Sequence, residues 1–208
     1  KAVMDRNDIG SDARTVWATL VTMLESIGRK TEGKMAEQVL MSCSVLEPDR
    51  IPLSLLSEVI EKSIKQARDE AESQEDVDDE MNETLKLLTS HNLLIYDAES
   101  KSYSIHRLVQ KAIQLQHGAS KMESVLPVLI DSLENDFYSN EGGPLAVEKR
   151  RLGYMAHLEC LLTLGVKPAP SSAPSESKQP PVDGRGQEPR LTAIDRARLQ
   201  NMKATALH

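Results

Sequence analysis

The chain has 208 residues, enough for one or two domains, and its formal charge of −7 weighs against nucleic-acid binding, which draws on Lys and Arg. Hydrophobic residues make up 39% of it but aromatics only 3%, so the core must be Leu, Ile, Val and Met, the composition of packed helices. Cys43 and Cys160 are too few and too far apart for a disulfide scaffold or a zinc ribbon. No run of about 18 apolar residues crosses a membrane, and the Lys1 terminus has no apolar signal-peptide core. A mainly α fold in a reducing, intracellular and cytoplasmic setting follows as the expectation. The missing initiator methionine adds the expectation of a piece excised from a longer chain.

Val16, Trp17, Leu20, Met23, Leu24 and Ile27 recur at helical spacing, with Ser11 or Asp12 as candidate caps and Gly28 as the stop. Thr31 is the candidate cap of a second helix carrying Met35, Val39, Leu40 and Cys43, which should end near Glu47-Pro48 because proline restricts the residue before it. Pro52 reads as the first turn of a third helix with Leu53, Leu56, Val59, Ile60 and Ile64 on one face. Asp69 to Glu83 then holds nine acidic residues and no basic one, the pattern of a solvated loop or exposed helix face.

Met81, Leu85, Leu87 and Leu88 predict a fourth helix ending near Ser90-His91-Asn92. Leu93 to Tyr96 and Ser102 to Ile105 predict two short strands of a hairpin, and Leu108, Val109, Ala112, Ile113 and Leu115 a helix ending near Gly118. Helices followed by a hairpin and another helix is the order of a winged helix. Met122, Val125, Leu126, Leu129 and Leu133 continue as a helix. Beyond the Gly142-Gly143-Pro144 break, one more is predicted from Leu145 to Leu164, with Leu152, Met155, Leu158, Leu161 and Leu162 as its stripe. Lys167 to Pro189 is Pro-, Ser- and Gly-rich and reads as a flexible linker. Leu191 to Ala206 reads as a short helix, basic on its exposed side, that should dock on something outside this chain.

The expected organisation is a winged-helix domain over 11–118, a repeat-like helical extension over 119–166, a disordered linker over 167–190 and a C-terminal helix over 191–206. No phosphate loop, HExxH, GxSxG or dinucleotide fingerprint is present, and the five histidines share no ligand spacing, so neither a complete active site nor a metal site is expected.

Several segments carry a family resemblance. Tyr103-Ser104-Ile105-His106-Arg107-Leu108-Val109-Gln110 resembles the "hRLVQ" signature that ends the winged helix of NB-ARC-type STAND ATPases with tetratricopeptide sensors. Trp17 with Leu20 and Leu24, the Val45 to Pro52 stretch, Leu85 to Leu94 and Tyr154-Met155-Ala156-His157-Leu158 resemble further elements of that family in the same order, covering about residues 11 to 165. The resemblance implies a nucleotide-binding domain upstream and a helical-repeat sensor downstream, both as partners, together with other protein partners and a parent able to oligomerise. ADP or ATP would bind in the parent only.

The resemblance also singles out His106. In the family a histidine at this point of an "MHD" triplet faces the β-phosphate of ADP; here the triplet reads Ile105-His106-Arg107, so Ile and Arg stand where that pattern has Met and Asp. His106 and Arg107 are thus the candidate ADP-phosphate residues, no catalytic residue is expected, and the plainer role for His106 is a hydrogen bond to a nearby carbonyl that organises the junction. Trp17 and His157 read more simply as packed residues. The competing functions are a winged-helix DNA-binding regulator, with Lys62, Lys65 and Arg68 on its third helix and Lys101 on its wing, and an unrelated helical adaptor.

Overall fold

The computed structural model describes residues 11–28, 33–67, 74–164 and 190–207, and is mainly helical with one small antiparallel sheet. The side chains of Ser11 and Asp12, the Thr31 cap, the first part of the acidic run and the predicted linker over 167–189 lie outside what is described.

Helix α1 (Ser11–Gly28) packs on α2 (Gly33–Ser44), which is buried along nearly its whole length. Strand β1 (Ile51–Pro52), α3 (Leu53–Ala67), α4 (Gln74–Ser90) and the hairpin β2 (Ile95–Asp97) and β3 (Ser102–Ser104) follow. Strand order is β1-β3-β2, all antiparallel, with Ile51 opposite Tyr103 and Tyr96 opposite Tyr103 from the other side. Helix, strand, helix, helix and hairpin, with the first strand returning to pair with the last, is the winged-helix arrangement.

One expectation is corrected here. Pro52 does not open the third helix; it lies in β1, and α3 starts at Leu53. The sheet order explains why: β1 is an edge, where a missing N–H breaks no ladder, and the next amide, Leu53 N–H, donates to Lys101 O at 3.0 Å. The helix that precedes the wing is the fourth, α4, in the place the apolar spacing gave it, so the third helix named in the DNA-binding alternative does not adjoin the wing in sequence. Lys62 and Lys65 of that third helix, α3, pair with Glu58 and Glu61 of their own helix at 3.6 and 2.5 Å.

The wing turns through Asp97, whose carboxylate accepts from Glu99 N–H at 3.0 Å and Ser100 Oγ–H at 2.6 Å. Helix α5 (Arg107–Tyr138) breaks its geometry at Gly118 (φ 71°, ψ 171°), where the sequence places a helix end, and then continues. Its first half holds the end of α2. The Gln110 side-chain amide donates to Cys43 O and Leu46 O, each at 2.9 Å, and Gln114, one turn on, donates to Ser44 O at 2.7 Å.

The helix predicted over 145–164 is two helices, α6 (Pro144–Gly153) and α7 (Met155–Thr163). Tyr154 makes the joint, its N–H shared between the carbonyls of Arg150 and Arg151 and its ring fully buried; of the expected stripe Leu158 and Leu161 are buried, while Leu152 is left 53% exposed on α6.

Helix α8 (Ala193–Ala206) departs furthest from expectation, because it docks on this chain. Leu199 and Met202 are fully buried against the same core. Its basic residues face inward. Arg196 caps the α7 end through Leu162 O and Leu164 O at 2.8 and 3.1 Å, Arg198 pairs with Glu134 and Asp131, and Lys203 lies 3.1 Å from Glu159.

Two stability predictions follow from this packing. Leu199→Ala should cost about 2–5 kcal/mol in urea unfolding, while Arg198→Ala should cost no more than about 1 kcal/mol, because its partners are partly exposed. Gln110→Leu strands the Leu46 carbonyl and leaves Cys43 O only a 3.4 Å bond from Leu46 N–H, and should cost about 2 kcal/mol, read as a lower urea midpoint at unchanged slope.

Candidate functional site

The junction between the wing and α5 is built by three consecutive residues. Ile105 is buried and its N–H donates to Pro48 O at 2.9 Å, which fixes the end of β3 against the loop after α2. His106 then adopts extended backbone (φ −68°, ψ 135°) as the N-cap of α5, and its Nδ1 accepts from Leu108 N–H at 3.1 Å. The ring therefore bonds a backbone amide, not a carbonyl, and it satisfies one of the orphan donors of the helix start.

That cap has a chemical consequence. With Nδ1 accepting, the neutral ring carries its proton on Nε2, and His106 is exposed. Arg107 follows as the first helical residue, its side chain 78% exposed and 3.7 Å from Glu47. An ion pair that loose and solvated contributes about 0–1 kcal/mol at most, so the guanidinium can exchange partners readily. A ring N–H, a guanidinium and the positive end of a helix thus share one exposed corner, and all three favour an anion.

Glu47 joins this corner to the helical extension. It faces Arg107, and its charge also acts on His157 and Cys160 of α7. His157 is buried at 1% exposure, with Nε2 3.3 Å from the carbonyl of Arg50, a residue in the left-handed backbone region (φ 57°). Its Nδ1 is buried without a hydrogen-bond partner. Burial lowers the His157 pKa, against the opposing pull of the Arg50 carbonyl and Glu47. Burial likewise pushes the Cys160 thiol up and the fully enclosed Cys43 thiol to about 12, so neither is an activated nucleophile.

A second polar cluster was not legible in the sequence. Tyr154 Oη–H donates to the Asp136 carboxylate, which also accepts from Ser54 Oγ–H at 2.8 Å, tying α3, α5 and the α6–α7 joint together. Burial first, and then the Asp136 charge, hold the Tyr154 pKa well above its usual value. Arg150 donates to Ser139 O and Glu141 O at 2.8 and 2.9 Å, closing the turn beyond α5. Three residues spread over a hundred positions leave no local signature. Only Tyr154 lay in a segment the resemblance marked. Among the described residues no group of three or more His, Cys, Asp or Glu is arranged to hold a metal ion. No helix among them is long and apolar enough to cross a membrane.

The buried histidines predict a pH dependence. His157 and His117 both have folded-state pKa values below the ordinary 6.5, each mainly through burial. Below 6.5 the unfolded chain binds protons that the folded chain refuses, so their contribution is fully present above that pH and is lost as pH falls below it. The unfolding free energy should fall between about pH 7 and 5 by at most about 1.4 kcal/mol per pH unit per histidine, read as a lower thermal midpoint. His157→Gln, which keeps a donor for Arg50 O, should make that slope shallower.

Residues 29–122 match the family model described as a domain of unknown function, DUF7779. The matched stretch takes in α2, the sheet, α3, α4 and the first half of α5, hence the whole winged helix together with His106, Arg107 and Gln110. No curated protein and no solved structure matches the chain.

Proposed function

We propose that this chain is a non-catalytic regulatory and interaction segment of an intracellular nucleotide-switch protein, coupling an upstream nucleotide-binding domain to a downstream helical sensor. ADP, bound mainly by the upstream domain, would meet His106 and Arg107 through its phosphates. One observation carries the reading: His106 spends Nδ1 on capping α5, which leaves Nε2–H facing outward beside Arg107 at a helix N-terminus. The residues present suit a phosphate, since each contributes a donor or a positive charge, and the nearby Glu47 is held only at 3.7 Å from the guanidinium. Nucleotide bound there would supply the charge that holds or releases the winged helix, and the tie between Glu47, His157 and α7 would carry that state into the extension.

The DNA-binding alternative is disfavoured by α4. This helix stands where a winged-helix regulator presents its recognition surface, and it carries Asp76, Asp78, Asp79, Glu80 and Glu83 against a single Lys86. Carboxylates in that number repel a phosphate backbone.

The test uses the chain extended to include its upstream nucleotide-binding portion. His106→Ser keeps a good N-cap and removes the ring donor, so it should unfold within about 0.5 kcal/mol of wild type yet release ADP about tenfold faster after desalting. His106→Ala should release ADP as fast and also lose about 1 kcal/mol of stability. If His106→Ser retains ADP like wild type, the ring is a helix cap only and the nucleotide reading of this corner fails.

A further inference from the structure

His157 carries a ring nitrogen that the packing leaves unmet. Nε2 lies 3.3 Å from the Arg50 carbonyl, and a carbonyl can only accept, so the neutral ring has its proton on Nε2. Nδ1 is then a bare lone pair, buried and without a hydrogen-bond partner, in a residue 1% exposed. Such an atom is a standing cost that a second state of the molecule recovers by supplying a partner.

The titratable and charged groups around the ring come from α7 and the joint before it, the loop after α2 and the start of α5. Tyr154 lies with its ring centroid 6.1 Å away, and Cys160 follows one turn along α7. The loop brings Arg50, whose carbonyl holds the ring, and Glu47, whose charge acts on it; α5 brings Arg107, the ion-pair partner of Glu47. The cations of α8, which also packs on α7, hold other partners: Arg196 the carbonyls of Leu162 and Leu164, Arg198 Asp131 and Glu134, and Lys203 Glu159.

One of these groups is held loosely. The loop is fixed at Pro48, whose carbonyl takes Ile105 N–H at 2.9 Å, and at Arg50 through the His157 ring. The Glu47 side chain between α2 and those two points is 34% exposed, and its ion pair is 3.7 Å long, to a guanidinium 78% exposed. The pair also bears on α7, since after burial the Glu47 and Arg107 charges act in opposite senses on the Cys160 thiol. A carboxylate with a weak hold on one cation thus stands within electrostatic reach of a buried ring that lacks a partner.

We propose that Glu47 is a two-position carboxylate: when an anion takes the Arg107 guanidinium, Glu47 turns to His157 Nδ1, and the ring takes up a proton from solvent. The proton goes to Nδ1 and Glu47 stays ionised. The imidazolium then donates to Arg50 O through Nε2–H and to Glu47 through Nδ1–H. Filling the corner therefore places a charge inside the α7 packing, and anion binding is linked to proton uptake. Anion affinity rises as pH falls through the His157 midpoint of the filled state, and levels off below that of the empty state, which burial holds under the ordinary 6.5. The anion as trigger rests on the proposed reading of the His106 corner, whereas the exchange of Glu47 is testable with no anion present.

The experiment follows the His157 ring by NMR titration of the full chain as wild type, Arg107→Gln, Glu47→Gln and the double variant. Both side chains reach solvent, and thermal melts check that each variant is folded; the ring signals are assigned by their loss in His157→Gln. Arg107→Gln frees Glu47, so the His157 midpoint should move up by at least about half a pH unit, with an Nδ1–H signal in the protonated form. In the Glu47→Gln background the same substitution should move it little. Equal movement in both backgrounds would mean only the loss of a nearby positive charge and would overturn the proposal, as would no movement in either. Inorganic sulfate, whose charge is constant over this pH range, then stands in for phosphate. At about 50 mM it should raise the wild-type His157 midpoint as Arg107→Gln does and shift the His106 ring signals. Sulfate that shifts His106 but leaves the His157 midpoint unmoved would overturn the exchange while the corner still binds anions. If Arg107→Gln acts as expected and sulfate shifts neither ring, the exchange stands and the anion reading of the corner fails.

Discussion

A helix that ends inside a protein leaves carbonyl oxygens with no water to turn to, and α2 is such a helix. It lies between α1, α3, α4 and α5, and the carbonyls around its last turn would each cost about 1–3 kcal/mol if left unmet. Gln110 and Gln114 meet them from one face of α5. Because the two amides are one turn apart and address three separate carbonyls, they fix both the rotation and the axial position of α5 against α2. The exposed corner inherits that registration. His106 lies four residues before Gln110, so where its ring emerges, and where Arg107 meets Glu47, is decided inside the core.

The elements that were readable in advance are those whose signal is local. Apolar spacing located α1 to α5, and the change from helical to alternating pattern after Asn92 located the wing. Asn92 itself, at φ 54°, makes the left-handed stop that its residue type permits. What failed was read from one residue without its partner. Pro52 suits a helix start and an edge strand equally well, and only the pairing of β1 with β3 decides between them. Leu152 looked continuous with the stripe of Met155, Leu158, Leu161 and Leu162 because nothing in the sequence shows that Tyr154 must be swallowed by the core and break the helix there. Helix α8 was assigned to an outside partner because it is too short to be stable alone; its cover lies in this chain, with Leu199 and Met202 buried in the core and Glu134, Asp131 and Glu159 meeting its basic residues from far upstream.

The candidate site divides the same way. His106 and Arg107 were visible through their motif, yet the ring's role as a cap depends on the torsion of its own backbone and on the amide two residues ahead. Gln110 stood in the same motif without a chemical reading, since an amide acquires meaning only from the carbonyls opposite it. His157, read as a packed residue, is one, and it is also the link between α7 and the Arg50 carbonyl.

Gly118 makes α5 a jointed lever. Nothing crowds a side chain there, so the glycine serves its positive φ and not a close approach. The helix beyond it runs twenty residues to Tyr138, about 30 Å of arm, and a rotation of about ten degrees at that one peptide would swing the far end by about 5 Å. The bond from Ser54 to Asp136 and the bond from Asn135 to Glu58 clamp that far end to α3. They sit where the lever is longest and a given force has the greatest torque, so two modest hydrogen bonds resist bending at the joint more effectively than the same bonds placed beside Gly118 would.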